Sequence, residues 1–262
     1  MAQVLAETDG VVRRIVLNHP ERLNSLSHEM VDGLLDELDA AAADEDCRVV
    51  VLSGAGRAFC AGDDLKGMGR WPSKRWKGRK MGGGLPVPQQ LLIKTLRELP
   101  VPVVARLHGH VLGMGLDTAL ACDIRICTED TQLGDPRADR ALYAATGMLY
   151  QLPRIVGYGR ALEMMLLAER ISGVEAQQRG LVYRAVHEDQ LDAAVGEVVT
   201  QLSQSATKSL AVIKQQLREQ LDLDYAQAIV HSNAIRSTVA IEDGPEGILA
   251  FNEKRDPRFT GR

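Results

Sequence analysis

Residues 109–123, GHVLGMGLDTALACD, place three glycines within seven positions, followed by an acid and an apolar run that ends at a second Asp. This spacing predicts a tight turn that leads into the start of a helix. The first turn of a helix leaves backbone N–H groups unbonded at the positive end of its dipole, so such a turn can hold a ligand oxygen. The stretch therefore predicts a binding site made of backbone donors.

The segments around this stretch alternate between two hydrophobic patterns. Apolar runs of strand length alternate with segments of helical periodicity, which predicts βαβ units and a largely parallel sheet. The strand runs are at Val11–Leu17, Val49–Leu52, Val103–Leu107 and Ile124–Cys127. After Gly147 helical patterns dominate. We therefore expect an α/β core domain over residues 1–200 and a helical C-terminal region over residues 201–262.

Composition sets broad limits on what the chain does. Its 262 residues are 45% hydrophobic, with a net charge of -4, which is ordinary for a globular protein and gives no general attraction to nucleic acid or anionic membranes. We therefore expect neither a nucleic acid nor a membrane as a partner. The N-terminus lacks a signal-peptide pattern, which predicts a cytoplasmic protein. Cys47, Cys60, Cys122 and Cys127 form no CxxC pair, which predicts reduced thiols and no metal site.

A second glycine-bearing loop follows the predicted strand at 49–52, in the stretch VVVLSGAGRAFCAGDDL at 49–65. Backbone N–H groups from this loop and from the loop at 109–115 can converge on one oxygen and stabilise an oxyanion, as thioester chemistry requires. Neither loop matches the phosphate-binding GxxxxGK[ST] pattern or GxGxxG. The sequence therefore disfavours nucleotide hydrolysis.

Several spaced motifs together resemble the crotonase superfamily, also called the enoyl-CoA hydratase/isomerase family. They are NHPERLNSLSHEM near the start, GRAFCAGDDLKGM at 56–68, the central PVPVVARLHGHVLGMGLDTALACDIRICTEDTQLGDP, and EDGPEGILAFNEKRDPRFTGR at the end. The resemblance implies a crotonase-like ββα spiral core with a helical C-terminal trimerisation region. It also implies a homotrimer or a dimer of trimers that binds an acyl-CoA substrate and needs no cofactor beyond that coenzyme A.

The resemblance also assigns roles by position. The oxyanion hole would use the backbone N–H groups of Asp63 and Met114, with Gly109 in the turn that approaches the thioester. The coenzyme A portion would be held, largely by backbone contacts, at Arg22, Leu23, Ala61, Asp63, Asp64 and Leu65. Typical hydratases of the family use two glutamates, one in the helical turn after the glycines and one in a GxPE segment.

Here those two positions hold Asp117 and Arg137. Asp117 keeps the acid but is one methylene shorter, whereas a guanidinium stays protonated and cannot act as a general base. Arg137 could bind a carboxylate or carbonyl of the acyl group, or pair with Asp135, Asp139 or Asp117. A catalytic role for His108 or His110, which flank the glycine turn, is a weaker alternative.

Three hypotheses follow. The leading one is an enoyl-CoA hydratase-like enzyme with Asp117 as the acid/base. The second is double-bond isomerisation, or C–C hydrolysis of a β-keto thioester, since the second glutamate is missing. The third is a non-catalytic homologue that binds acyl-CoA or acts as an interaction protein. Residues 65–90 are rich in Gly, Pro and basic residues, which predicts a lid or a binding loop. Its basic residues could bind the phosphates of coenzyme A or could be exposed to solvent without a ligand. They are Lys74, Arg75, Lys77, Arg79 and Lys80.

Overall fold

The larger sheet forms the centre of the fold. The computed structural model describes residues 2–66 and 87–262. The strands of this sheet are β1 (Val4–Asp9), β2 (Val12–Leu17), β3 (Val49–Gly54), β4 (Val103–Leu107), β6 (Ile124–Thr128) and β9 (Arg184–Val186). They lie side by side in the order β1-β2-β3-β4-β6-β9. β1 pairs antiparallel with β2, and the other neighbouring strands pair parallel.

A smaller sheet stands beside it and contains the strand that leads into the glycine turn. Its order is β5 (His110–Leu112), β7 (Gln132–Gly134) and β8 (Arg170–Ile171). β5 and β7 run parallel, and β7 and β8 run antiparallel. β5 is joined through Gly113 to the N-terminus of a buried helix, so this sheet sets where that helix begins.

Helices cover both faces of the larger sheet. They are α1 (His28–Ala43), α2 (Pro88–Glu98), α3 (Met114–Ala121), α4 (Met148–Val156), α5 (Tyr158–Leu166), α6 (Gly173–Gln178), α7 (Leu191–Ser203), α8 (Thr207–Gln220), α9 (Tyr225–Thr238) and α10 (Gly244–Glu253). Val50 and Leu52 of β3 face the main core, and Val49 and Val51 face α7. A strand buried on both faces needs an unbroken apolar run, which explains the sequence VVVL.

A partly buried lysine joins the C-terminal helices to this core. Lys214 of α8 donates its ammonium group to the carboxylate of Asp123 at 2.7 Å and to the carbonyl oxygens of Leu96 and Val101. Several large apolar side chains of α8–α10 are exposed, including Ile213, Leu217 and Phe251.

The parallel α/β core predicted from the sequence is confirmed, with the strand runs within a few residues of their observed bounds. The four cysteines are free and buried. In residues 2–66 and 87–262, no helix has the length and apolarity to cross a bilayer, and no cluster of His, Cys, Asp and Glu could hold a metal ion. The division at residue 200 stays a prediction, and the five basic residues at 74–80 lie outside the described residues.

Candidate active site

The two glycine loops are tied together by backbone hydrogen bonds. The N–H of Cys60 donates to the carbonyl of His110 at 3.0 Å, and the N–H of Leu112 donates back to Cys60 at 3.0 Å. Glycine is required where the loops touch: a Cβ at Gly115 would lie 2.3 Å from the Cys60 carbonyl oxygen. The backbone of one loop therefore lies directly against the first turn of α3.

This contact brings the two predicted oxyanion donors onto adjacent segments. A Cβ at Gly62 would lie 3.6 Å from the backbone nitrogen of Met114, and Asp63 is the next residue. Met114 is the first residue of α3, and Gly113 before it has a φ of +52°. In the described part of the chain, neither the Asp63 N–H nor the Met114 N–H donates to a backbone carbonyl. The Met114 N–H is thus available to a ligand oxygen, and the Asp63 N–H, which contacts its own carboxyl, could exchange that contact for one.

Asp117 lies in the first turn of α3, and its two carboxylate oxygens have different surroundings. Oδ2 accepts hydrogen bonds from Arg137 Nη2 at 2.9 Å and from the Thr146 hydroxyl at 2.5 Å. Oδ1 is also buried, but it has no hydrogen-bond partner within the described residues. A buried carboxylate oxygen without a partner is rare, and here it is the oxygen that could exchange a proton with a substrate.

Arg137 is buried between two carboxylates. Its Nε donates to both oxygens of Asp135, at 2.8 and 2.9 Å, while Nη2 reaches Asp117. Of the pairings that the sequence left open, the structure shows those with Asp135 and Asp117, and it leaves Asp139 exposed. The guanidinium therefore orients Asp117 and offsets its charge.

Burial dominates the electrostatics of this cluster. It raises the pKa of Asp117, although the charge of Arg137 and the bond from Thr146 act in the opposite direction. Burial likewise raises the pKa of Asp63, against the lowering effect of Arg137. For Arg137 itself burial lowers the pKa, but its bond to Asp135 and the charge of Asp117 outweigh that effect and leave it raised.

Most of the predicted coenzyme A residues lie close together. Arg22 forms an ion pair with Asp64 at 3.1 Å, and the carbonyl of Leu23 accepts from the N–H of Ala61 at 2.9 Å. Leu65 follows on the same loop and is half exposed. These residues border the Asp63 donor, as a thioester-binding site would need.

Gly109 is separate from this group. It has a φ of +59°, and a Cβ there would lie 2.0 Å from the carbonyl oxygen of Arg57, so its role in the structure is close packing of the loops. Its own contact with substrate stays a prediction. His108 hydrogen-bonds the carbonyl of Gly56 at 2.8 Å, and burial lowers its pKa, which describes a structural histidine.

Sequence reasoning missed Thr146 and Met148, which both contact the cluster. Met148 Sδ lies 3.7 Å from Arg137 Nη2, and Thr146 bonds Asp117. Neither residue belongs to a motif, and the loop before α4 gave no pattern that would have singled them out. Tyr150, two residues further on, donates its hydroxyl to Asp222 at 3.0 Å.

The site combines the buried carboxylate of Asp117 with two backbone N–H donors, one of them at the N-terminus of α3, on a two-sheet α/β core. This combination defines an enzyme of the crotonase fold class. The profile of the enoyl-CoA hydratase/isomerase family matches residues 7–262. The chain belongs to that family.

Proteins similar to this chain are named as isomerases and as hydratases. The chain is 31% identical to a peroxisomal Delta(3,5)-Delta(2,4)-dienoyl-CoA isomerase of Arabidopsis thaliana, over 97% of this chain and 94% of that one. It is also 31% identical to a probable enoyl-CoA hydratase of Bacillus subtilis, over the full length of both. A crystal structure of an enoyl-CoA hydratase subunit from Geobacillus kaustophilus superposes with a TM-score of 0.87, at 30% identity, covering 99% of this chain and 98% of that one. The resemblance to the crotonase superfamily is confirmed, and the chain is a hydratase or isomerase of this family.

Proposed function

We propose that the protein isomerises the carbon–carbon double bond of an enoyl-CoA thioester, with Asp117 as the single proton carrier. The observation that supports this most strongly is the asymmetry of Asp117, whose Oδ2 is held by Arg137 and Thr146 while its buried Oδ1 has no partner in the described residues. A carboxylate fixed through one oxygen leaves the other free to take and return a proton.

The proposed reaction is a proton shift between two carbons of the acyl group. Asp117 Oδ1 takes a proton from the carbon next to the double bond, and the electron pair of that C–H bond passes into the conjugated system. Negative charge then collects on the thioester oxygen, where the N–H groups of Asp63 and Met114 stabilise it. The same carboxyl returns the proton at the other end of the conjugated system. No water is consumed and no second base is required.

Hydration is the second candidate, because relatives of equal similarity are named as hydratases. It needs a base to activate water and an acid to protonate the α-carbon. Arg137 occupies the position where the second carboxyl would stand, and its Nε and Nη2 already bond Asp135 and Asp117. Hydration would therefore require Asp117 to act both as the base that activates water and as the acid that protonates the α-carbon. C–C hydrolysis would make the same demand, because it also needs an activated water.

The remaining parts of the proposal concern binding and assembly. An acyl-CoA would lie along Arg22, Leu23, Ala61, Asp64 and Leu65, with coenzyme A present only as part of the substrate. The assembly would be a homotrimer or a dimer of trimers, supported by the exposed apolar face of the C-terminal helices. A cytoplasmic location and the absence of nucleic-acid and membrane partners stay predictions from composition.

The decisive experiment incubates the protein with 2-enoyl- and 3-enoyl-CoAs and follows both absorbance of the conjugated thioester and product mass. Isomerisation interconverts the two without a change in mass, whereas hydration adds one water. We expect Asp117→Asn to lower kcat about 10²- to 10⁴-fold, the usual contribution of a positioned acid/base.

Asp139→Asn, an exposed acid on the segment that carries Arg137, is the matched control and should leave kcat unchanged. Addition of water by the wild type would replace isomerisation with hydration. Binding of enoyl-CoAs without turnover of any of them would instead support the non-catalytic hypothesis.

A further inference from the structure

The guanidinium of Arg137 has a nitrogen that its two ion pairs do not use. Nε donates to Asp135, and Nη2 donates to Asp117 and to the sulfur of Met148. Within residues 2–66 and 87–262, Nη1 has no hydrogen-bond partner, and unlike Asp117 Oδ1 it is not sealed from solvent. The Arg137 side chain is 10% exposed, against 0% for Asp117 and 1% for Asp135. Nη1 is therefore a charged donor that a ligand can reach.

Two sets of contacts place this guanidinium between the acid/base and the oxyanion turn. Nη2 lies 2.9 Å from Asp117 Oδ2, and Nε lies 2.8 Å from Asp135 Oδ1. The same oxygen of Asp135 would lie 4.0 Å from a Cβ on Gly113, the residue directly before Met114. Because the guanidinium is planar and rigid, these two ion pairs also fix the direction of Nη1. An acyl group that reaches from the Met114 N–H to Asp117 therefore passes close to Nη1.

A charged N–H donor selects for an oxygen acceptor on the acyl group. In free protein the exposed part of Nη1 can bond water, and a bound hydrocarbon chain would displace that water without replacing the bond. An acyl oxygen opposite Nη1 would replace it. A site built to hydrogen-bond a substrate oxygen discriminates strongly against the analogue that lacks this oxygen, because its own donor is then left unpaired. The site therefore favours an oxygenated acyl group.

The charge of the cluster decides which kind of oxygen fits. Asp117 and Asp135 share the single positive charge of Arg137, so the cluster is neutral when Asp117 holds its proton and negative when it does not. A carboxylate on the acyl group would bring a further negative charge to a cation that is already compensated. A hydroxyl or a carbonyl brings an acceptor without a charge. The cluster therefore favours a neutral oxygen over a carboxylate.

We propose that Arg137 determines substrate specificity, with Nη1 donating a hydrogen bond to a hydroxyl or carbonyl oxygen on the acyl chain, beyond the carbons that exchange the proton. The substrate class is then an oxygenated acyl-CoA. Arg137 combines the two roles that the sequence presented as alternatives, since it holds Asp117 through Nη2 and contacts the acyl group through Nη1. This inference rests on the proposed function, because it places the acyl group beside Asp117, but it does not require that the double bond moves.

The test measures the affinities of saturated acyl-CoAs, which have no double bond to isomerise, by titration calorimetry. The ligands are hexanoyl-CoA, its 5-hydroxy, 6-hydroxy and 5-oxo derivatives, and adipoyl-CoA, which ends in a carboxylate. We expect at least one neutral oxygenated ligand to bind about 10- to 100-fold more tightly than hexanoyl-CoA, the usual effect of a hydrogen bond to a charged group. Adipoyl-CoA should bind no more tightly than hexanoyl-CoA.

Arg137→Lys tests whether this preference comes from Arg137. Lysine keeps the charge but lacks the planar fork that serves two carboxylates and a ligand together. The ratio between the affinities for the oxygenated ligand and for hexanoyl-CoA should therefore fall to near one. A purely structural role would weaken both ligands alike and leave the ratio unchanged. Arg140→Lys is the matched control and should keep the wild-type ratio, because Arg140 is exposed on the same segment and donates to the Pro136 carbonyl.

Three results would overturn the inference. They are equal wild-type affinities for oxygenated and plain ligands, tighter binding of adipoyl-CoA than of the hydroxy and oxo forms, and an Arg137→Lys protein that keeps the preference. Should Arg137→Lys fail to fold, a crystal structure of wild type with the tightest ligand decides, since its oxygen must lie within hydrogen-bond distance of Nη1.

The same protein separates this inference from the proposed function. If wild type fails to isomerise enoyl-CoAs but its preference for an oxygenated ligand depends on Arg137, the proposed isomerisation is wrong and the specificity role stands. Isomerisation without any such preference would have the opposite meaning.

Discussion

Arg137 is the residue that most distinguishes this site from a two-carboxylate one, and its removal should change both stability and pH dependence. Arg137→Gln leaves Asp117 and Asp135 buried without their cation, so we expect the free energy of unfolding to fall by about 3–5 kcal/mol. The charge of Arg137 lowers the pKa of Asp117, so its loss should move the acid limb of kcat to higher pH.

Denaturant unfolding and a pH profile of kcat measure these two effects. Arg137→Lys is the matched variant, since it keeps the charge but cannot bond Asp135 and Asp117 through one planar group. Its acid limb should lie between those of wild type and Arg137→Gln. An acid limb that stays in place in Arg137→Gln would show that Arg137 does not control the protonation of Asp117.

The sequence was informative about single residues where a motif fixed their spacing. Asp117 follows the glycine turn at helical spacing. For Arg137 the sequence left two roles open, a contact with the acyl group or an ion pair with a nearby aspartate. Thr146 could not be predicted, because its bond to Asp117 spans 29 positions and depends on how the loop before α4 folds. The different surroundings of the two Asp117 oxygens likewise exist only in three dimensions.

Among the elements, α10 depends on a carboxylate at its start that holds the C-terminal tail. Asp243 accepts hydrogen bonds from the N–H of Thr260 at 2.7 Å, from the Thr260 hydroxyl at 2.9 Å and from the N–H of Gly261 at 2.7 Å. Burial raises the pKa of Asp243, but these bonds outweigh it and leave the pKa lowered. The stabilisation is therefore present above the unfolded-state pKa and is lost as the pH falls through the lowered one.

We expect Asp243→Asn to lower the free energy of unfolding by roughly 1.5–3 kcal/mol near neutral pH, the usual contribution of hydrogen bonds to a charged group. The difference from wild type should shrink in acid, where Asp243 is protonated in both states. Denaturant unfolding at several pH values measures this, with the exposed Asp256→Asn as control. A difference that does not depend on pH would mean that the charge of Asp243 contributes nothing.

Elements were predictable from the sequence where burial imposed an apolar run long enough to recognise. β3 and β4 are buried on both faces, and their apolar runs marked them clearly. β1 has six residues but is mostly exposed, and it was not predicted. The smaller sheet was not predicted from hydrophobic pattern, because β5, β7 and β8 have only two or three residues each. Their pairing follows from the path of neighbouring loops, which a local pattern does not contain.

At the scale of the whole molecule, the apolar surface of the C-terminal helices bears on assembly. Large side chains of α8–α10 are highly exposed in the single chain, among them Leu217 at 68%, Val230 at 70% and Phe251 at 83%. Exposed apolar surface on this scale, spread over successive helices, marks an interface between protein chains. Together with the homotrimer or dimer of trimers that the resemblance implies, this surface leads us to expect three or six copies of the 28.6 kDa chain in solution.

Sedimentation equilibrium measures the mass of the assembly directly. The double variant Leu217→Asp, Val230→Asp places charges on this surface and should dissociate the assembly, because an interface core does not accept unpaired charge. Leu5→Asp, at an exposed position of β1, is the control and should leave the mass unchanged. A wild-type chain that sediments as a monomer would contradict the trimer prediction, and the apolar face of α8–α10 would then require a different partner.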